Sequence, residues 1–314
     1  MSASKKRIFI DGSAGTTGLR IFERLAARGD VELLTLPEEL RKDPSARRRM
    51  LNAADAAFLC LPDDAAREAE AMVENPDLIL LDTSTAHRTA EGWTYGFPEL
   101  SSERWEAVKH SHRIAVPGCH ASGFIALVDP LVRAGLLPRD ALLTCHSITG
   151  YSGGGKKMIA EYRDAGRDLL LDAPRQYGIA QKHKHLPEMQ SITGIAHAPL
   201  FSPIVADFYS GMEVTVPLFA EQLTPGTTVE EIRRVLRETY GGPVVCYCED
   251  ASESGFLSAA ALSGRDSMQI TVAGNAERIL LIARYDNLGK GASGAALECL
   301  NLALGVDPTL GLEL

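Results

Sequence analysis

The sequence predicts an α/β protein of two domains, a parallel sheet covered by helices on both faces followed by an α+β domain built on antiparallel strands. Three observations carry this. The 314 residues, 45% of them hydrophobic, exceed what one core organises, since single cores stop growing at roughly 250–300 residues. Early in the chain, short and wholly apolar runs alternate with helical stretches, the texture of strands buried on both faces. From Ile192 to Leu218, and again at Val244 to Cys248 and Met268 to Val272, strand-like runs follow one another with little between them.

Arg7-Ile8-Phe9-Ile10 is the first strand, and Leu19, Ile21, Phe22 and Leu25 form an apolar stripe on the helix that follows. Between them stands DGSAGTTG. Gly12, Gly15 and Gly18 are spaced GxxGxxG, a variant of the fingerprint in which backbone amides and a helix N-terminus cradle a dinucleotide pyrophosphate. Ser13, Ala14, Thr16 and Thr17 complete this candidate loop, and plain chain reversal is the alternative reading. The second strand, Val31 to Leu36, runs into Pro37, with Glu38 and Glu39 behind it and Arg41, Lys42 and Arg47 to Arg49 beyond. Acids there suit a ribose 2′-hydroxyl, whereas bases suit a 2′-phosphate or simply a solvated helix face. The balance favours NADP(H). Strands at Ala56 to Leu61 and Leu78 to Leu81 end in further candidate cofactor residues, Leu61, Pro62, Asp82, Thr83 and Ser84, because ligands bind open parallel sheets at the carboxyl ends of their strands.

The strand Ile114-Ala115-Val116 leads through Pro117-Gly118 to Cys119, and Ala121 to Gly135 carries Phe124, Ile125, Leu127, Val128, Leu131 and Val132 at helical spacing. Cys119 is therefore expected just ahead of a helix, where unpaired amides and the helix dipole favour a thiolate. A lone cysteine at such a junction is more often a small buried apolar residue. What shifts the weight to a nucleophile is the company it keeps. Downstream, Gly153 to Gly155 precede Lys156 and Lys157, and glycines that admit backbone to a ligand, followed by an amine, suit an anionic substrate as well as they suit a flexible loop. Ser152, Gly153 and Lys156 are the substrate candidates. In QKHKHLPEM, His183 and His185 lie just ahead of a helix start at Pro187-Glu188. One of them reads as a general acid or base beside a thiol, and a surface loop that happens to hold histidines is the alternative. As metal ligands they lack a third and fourth partner at a recognisable spacing, so no metal is expected.

The closing stretch RILLIARYDNLGKGASGAALECLNLALG is a strand, a turn and an apolar helix that returns to the first domain. The expected boundaries are 1–118 with 288–314 for the dinucleotide domain and 119–287 for the catalytic domain. A net charge of −9 argues against nucleic acid. No apolar run approaches the roughly 18 residues of a membrane span, and the start leads directly into a strand, so a cytoplasmic protein is expected. Six cysteines form neither a disulfide framework nor a CxxC pair. Cys246 and Cys248 share one face of a strand and read as packing residues.

Taken in order, GSAGTTG, DTSTAHR, YGFPEL, VPGCHASG, GYSGGGK, HKHLPEM and DNLGKGASGAALECLNLALG resemble the N-acetyl-gamma-glutamyl-phosphate reductases of arginine biosynthesis in their shorter form, from about Ile8 to Gly305. The pattern departs at Gly264-Arg265-Asp266, where a small residue and Asn would follow the glycine. The resemblance implies a Rossmann-like NADP-binding domain joined to an α+β catalytic domain that also builds a homodimer or homotetramer, as in aspartate-semialdehyde and glyceraldehyde-phosphate dehydrogenases. It implies Cys119 as nucleophile, an acid/base histidine in the HKH segment with His185 preferred over His183, and Asn287 near the nicotinamide. The implied substrate is a small acyl phosphate, reduced through a cysteine thioester. A sister reductase acting on aspartyl phosphate or on a carrier-bound glutamyl phosphate would share this chemistry. A nucleotide-binding sensor would need neither the thiol nor the histidines, and a hydrolase with HxH metal ligands is the weakest reading.

Overall fold

A computed structural model describes residues 5–314. The chain divides into two compact units: one holds the residues up to Pro98, Ser102–Pro117 and Ala292–Leu312, the other Glu99–Ser101, Gly118–Gly291 and Glu313–Leu314.

The first unit is built from β1 (Lys6–Asp11), α1 (Thr16–Ala26), β2 (Val31–Leu34), α2 (Pro44–Ala53), β3 (Ala56–Leu59), α3 (Asp63–Ala71), β4 (Ile79–Asp82), β5 (Thr94–Tyr95), α4 (Ser102–Lys109) and β6 (Arg113–Ala115). Its six strands run in the order β2-β1-β3-β4-β6-β5, and every pairing is parallel. The apolar strands are apolar because both faces are covered, with side chains alternating between two cores. Ile8, Ile10, Phe58 and Leu81 pack with Ile21 and Leu25 of α1 on one face. Phe9, Ala57, Leu59 and Leu80 pack with Leu51 of α2 and with Ala66 and Ala69 of α3 on the other. β2 stops at Leu34, the last residue paired with β1, rather than at Leu36, because the chain turns at Pro37 into a 3-10 turn over Glu38–Leu40.

The second unit contains α5 (Cys119–Arg133), β7 (Thr144–Gly150), α6 (Gly155–Arg163), β8 (Arg175–Gln176), α7 (Leu186–Thr193), β9 (Leu200–Ala206), β10 (Met212–Phe219), α8 (Val229–Thr239), β11 (Val245–Tyr247), β12 (Met268–Gly274) and β13 (Arg278–Tyr285). Its seven strands run β11-β12-β13-β10-β7-β9-β8. The sheet is mixed rather than antiparallel: β7 and β9 are parallel, as are β11 and β12. A parallel pair needs a crossover of a dozen or more residues, and the long excursion through α6, β8 and α7 supplies one between β7 and β9. Ile192 belongs to the last turn of α7, so the strand run begins at Leu200.

α5 is buried around its whole circumference, every residue from His120 to Val132 included, which marks a helix inside a core. It begins at Cys119 itself and ends at Arg133, two residues earlier at each end than the apolar spacing suggests, because an apolar stripe does not report the polar first turn. Pro130 lies within it and cannot donate to Ala126. The Tyr240 hydroxyl donates to the Ala126 carbonyl instead, at 2.7 Å. After β13 a π-type turn, Gly289–Ser293, leads into α9 (Gly294–Leu304). This helix belongs to the first unit, where Ala296 and Leu300 join the core beneath α1.

Candidate active site

In the first unit the glycine turn lies where the strand order reverses. β1 is flanked by β2 on one side and β3 on the other, and such a switch point is where open parallel sheets bind their ligands. Gly12 has φ of +89°, and a Cβ there would strike the Cys60 carbonyl oxygen just beyond β3. At Gly18 a Cβ would lie 2.5 Å from the Gly12 oxygen. The turn therefore requires glycine at positions 12 and 18. Gly15 is the N-cap of α1 and contributes no side chain to it, so the amides of Thr16, Thr17 and Gly18 face outward from a positive helix end. Ala14 and Gly15 are exposed. This cradle fits a pyrophosphate.

The other first-unit candidates are braced more than bared. Asp82 is fully buried; its carboxylate accepts from the Ser84 amide at 2.9 Å and hydroxyl at 2.7 Å and meets His87 Nδ1 at 2.7 Å. His87 stacks on Trp93 and faces Glu70 with its other nitrogen at 3.0 Å. Thr83 donates through Oγ1 to the Leu59 carbonyl at 3.0 Å. Together these bonds clamp the loop after β4. Leu61 packs against the α3 core, and Pro62 is the N-cap of α3. Among the bases after β2, Arg47 is buried on Asp11 at 2.9 Å, and Arg48 pairs with Glu74. Burial raises the Asp11 pKa even against the lowering by Arg47. Arg41, Lys42 and Arg49 are exposed.

In the second unit Cys119 is the first residue of α5. Gly118, the N-cap, offers no side chain, so no side chain caps the first-turn amides. The turn is held from outside. Tyr285 donates to the Cys119 carbonyl at 2.5 Å and accepts from the Gly123 amide at 3.0 Å. Gly123 is obligatory, since a Cβ would stand 2.7 Å from that hydroxyl. Glu188, buried in α7, accepts from the Gly118 amide at 2.8 Å. From the other direction Asp286 accepts from Ser210, Gly264, Leu288 and Gly289, shaping a turn that sets Gly291 against Cys119, where a side chain's Cβ would lie 3.1 Å from the Cys119 Cβ.

Beside this turn lies an imidazole cluster. His120 stands 5.7 Å from His183 and 5.7 Å from His185, and these two are 4.7 Å apart. His185 is buried at the N-cap of α7, and its amide donates to His183 Nδ1 at 3.2 Å. That bond places the His183 proton on Nε2. Burial, helped by His183, lowers the His120 pKa to about 3, so His120 is a neutral ring. Its Nδ1 lies 2.7 Å from Ser147 Oγ and its Nε2 2.5 Å from the Tyr177 hydroxyl. Among the described residues no three His, Cys, Asp or Glu side chains group as metal ligands. Cys246 and Cys248 lie on one side of β11 with sulfurs 4.0 Å apart.

The structure also brings Ser152, Gly153 and Asn287 together. Asn287 is buried, donating to Ser152 Oγ at 3.0 Å and accepting from the Gly211 amide at 2.9 Å. Lys156 is exposed in the first turn of α6. At the departure from the family pattern, Asp266 is buried and accepts from the Glu313 amide at 2.9 Å, while Arg265 donates to the Leu314 carbonyl at 2.6 Å. The loop thus ties down residues 313–314. His120, Tyr177, Glu188, Tyr285 and Gly291 surround the thiol without having been singled out by sequence. Only His120, adjacent to Cys119, and Glu188, in the Pro-Glu helix start, carried any local signal.

A parallel dinucleotide unit and a mixed-sheet unit with a thiol at a helix start define an enzyme of the semialdehyde dehydrogenase class. Residues 29–108 match the family model described as semialdehyde dehydrogenase, NAD binding domain, and residues 119–287 the one described as semialdehyde dehydrogenase, dimerisation domain. The fold is also that of aspartate semialdehyde dehydrogenase II from Vibrio cholerae, with TM-score 0.70 and 15% identity over 96% of this chain and 99% of that one. The enzyme from Candida albicans, solved with NADP, gives 0.67 at 15% identity over 96% and 99%. In sequence the chain is 44% identical to N-acetyl-gamma-glutamyl-phosphate reductase 2 of Nostoc sp., covering 98% of this chain and all of that one. It is 45% identical to the reductase of Rhizobium meliloti, over 96% and 99%, and 46% identical to that of Chelativorans sp., over 95% and 98%. The chain belongs to the N-acetyl-gamma-glutamyl-phosphate reductase family and is a nicotinamide-dependent oxidoreductase.

Proposed function

We propose that the protein reduces N-acetyl-L-glutamyl 5-phosphate to N-acetyl-L-glutamate 5-semialdehyde and phosphate with NADPH, as a step of arginine biosynthesis. Relatives of that name at 44–46% identity over nearly the whole chain support the substrate. The observation that carries the chemistry is Cys119 in the first turn of α5, with the imidazole cluster beside it. Exposed Arg41, Lys42 and Arg49 after β2 support NADP over NAD.

The Thr16–Gly18 amides would hold the cofactor's pyrophosphate, and the cofactor supplies the hydride. This chain's residues do the rest. The positive end of α5 favours the Cys119 thiolate, which attacks the 5-carbonyl; the C–O bond to phosphate breaks and a thioester remains. Splitting one hard displacement in two is the benefit of covalent catalysis. First-turn amides of α5 are placed to receive the oxyanion that forms at each stage. A protonated histidine stabilises the thiolate and gives up its proton as the tetrahedral species collapses to the aldehyde and the free thiol. His185 is preferred for this, with His183 as its partner. Exposed Leu200, Phe219 and Leu280 on the outer face of the second sheet support a homodimer or homotetramer. Among the described residues no helix is long and apolar enough to cross a membrane, and six cysteines outside any disulfide support the cytoplasm.

The test is reduction of NADP or NAD in the reverse direction, with phosphate and either N-acetylglutamate or aspartate semialdehyde. Preference for NADP and the acetylated substrate is expected, and Cys119→Ser should lower kcat by at least about a thousandfold. A serine variant that keeps most of the rate would refute covalent catalysis. His183→Asn and His185→Asn should split into one large and one mild loss of kcat; two mild losses would remove histidine from the mechanism.

A further inference from the structure

The reading of Cys119 as nucleophile uses a thiol, a set of amides and one histidine of the HKH segment. It leaves His120 without a task, although this ring sits in the same helical turn as the thiol. His120 is buried, and its low pKa excludes it as the proton carrier near neutrality. Both of its nitrogens are nevertheless engaged, Nδ1 by Ser147 and Nε2 by Tyr177.

A neutral imidazole has one donor and one acceptor, so the two bonds must run in the same direction along the chain. Ser147 decides which. Its hydroxyl is fully buried, and among the described residues it meets no polar partner except His120. Were Nδ1 to donate to Ser147, the serine proton would be buried without an acceptor; were Ser147 to donate to Nδ1, only a lone pair would be left over. Buried orphan donors are the rarer and costlier of the two. Ser147 therefore donates to Nδ1, and Nε2–H donates to the Tyr177 oxygen. The Tyr177 proton is then committed to no hydrogen bond, since among the described residues this hydroxyl bonds only His120, while the charge of Cys119 acts on it from nearby. Tyr177 is only half-buried, so a ligand can reach it.

We propose that Ser147 and His120 are positioning residues that turn the Tyr177 hydroxyl outward as a hydrogen-bond donor to an anionic oxygen of the acyl substrate at Cys119. Tyr177 is the group that touches substrate. Burial, and secondarily the charge of Cys119, hold its pKa well above the ordinary tyrosine value, so it remains a donor throughout. The relay explains why a second histidine, held neutral, stands beside the nucleophile. It also separates the roles of the cluster, with His120 fixing a hydrogen bond and the HKH segment moving a proton.

The test compares variants that all retain Cys119. Tyr177→Phe should lower kcat by about ten- to a hundredfold, with KM for the dinucleotide unchanged. Ser147→Ala, which removes one buried oxygen, lets the imidazole reverse its tautomer and should lower kcat in the same sense by a smaller factor. His120→Gln places an amide nitrogen near the Nε2 position and should rescue most of the rate; His120→Asn, which reaches only the Nδ1 position, should behave like Tyr177→Phe. In the Tyr177→Phe background neither Ser147→Ala nor His120→Asn should cost anything further. The rate of Cys119 alkylation by iodoacetamide against pH should match wild type in every variant, which also shows that the thiol is folded into place. Additive losses in the double variants, equal losses in His120→Gln and His120→Asn, or an alkylation profile that moves with the relay would overturn the proposal. Failure of the covalent reading itself would appear separately, in Cys119→Ser alone.

Discussion

The two units present their candidate ligand-binding groups in opposite ways. The first offers backbone: a turn of glycines at a sheet switch point, with amides at the start of α1 and no side chain capping them. The second offers side chains, a thiol with three imidazoles and a phenol, and other elements hold the backbone on either side of the thiol and both nitrogens of His120. Backbone recognition tolerates almost any side chain that is not in the way and fails when a Cβ is added. Side-chain recognition tolerates repacking but fails when a single polar partner is lost. The same contrast appears among the buried acids. Asp82 spends its carboxylate bracing a loop of the first unit, while Glu188 holds Gly118, the residue in front of Cys119.

Gly12→Ala tests the backbone side and should have the largest effect on stability. It forces a positive φ on a residue with a Cβ and drives that Cβ into the Cys60 carbonyl, which together should cost about 3 kcal/mol or more. A urea midpoint will show it, and dinucleotide KM should rise while Cys119 alkylation stays unchanged. If the midpoint does not move, the turn is looser than its geometry implies.

Glu188→Ala tests the side-chain side. It leaves the buried Gly118 amide without its acceptor, which should cost about 2 kcal/mol and slow Cys119 alkylation. Glu188→Gln keeps an acceptor oxygen and should recover at least half of both. Equal damage by the two substitutions would mean that the charge of Glu188, rather than this bond, matters.

The gentlest probe is acid. His120 titrates near 6.5 when unfolded and is held down to about 3 in the fold. Its neutral burial is therefore fully compatible with folding above pH 6.5, and stability is lost as pH falls from there toward 3, by about 1.4 kcal/mol per pH unit at most. His120→Gln should flatten that limb. An unchanged slope would assign the acid lability to other groups.

Much of the architecture is legible because it rests on local rules. The apolar runs at residues 8–10, 56–59 and 79–81 announce a sheet covered on both sides, and GxxGxxG announces a turn that needs glycine at Gly12 and Gly18. The mixed order of the second sheet was not legible in the same way. Antiparallel and parallel strands share one side-chain period, and the crossover between β7 and β9 is set by where α6, β8 and α7 pack. Among the candidate site residues, Cys119, His183 and His185 stand in short motifs whose chemistry shows locally. Tyr177, Tyr285 and Gly291 do not, because each comes to the thiol from more than 50 positions away in the chain.

By itself, then, the sequence determined the fold class, the glycine turn and which side chains are candidates for the chemistry, since each follows from residue type and short-range spacing. Tertiary structure alone decided how those side chains behave. It placed Arg47 on Asp11 and so withdrew it from any ligand, and it set Asn287 on Ser152 and the Gly211 amide. It buried His120 between Ser147 and Tyr177, where desolvation keeps the ring neutral. Protonation state and hydrogen-bond direction depend on burial and on distant partners, and those exist only once the chain has folded.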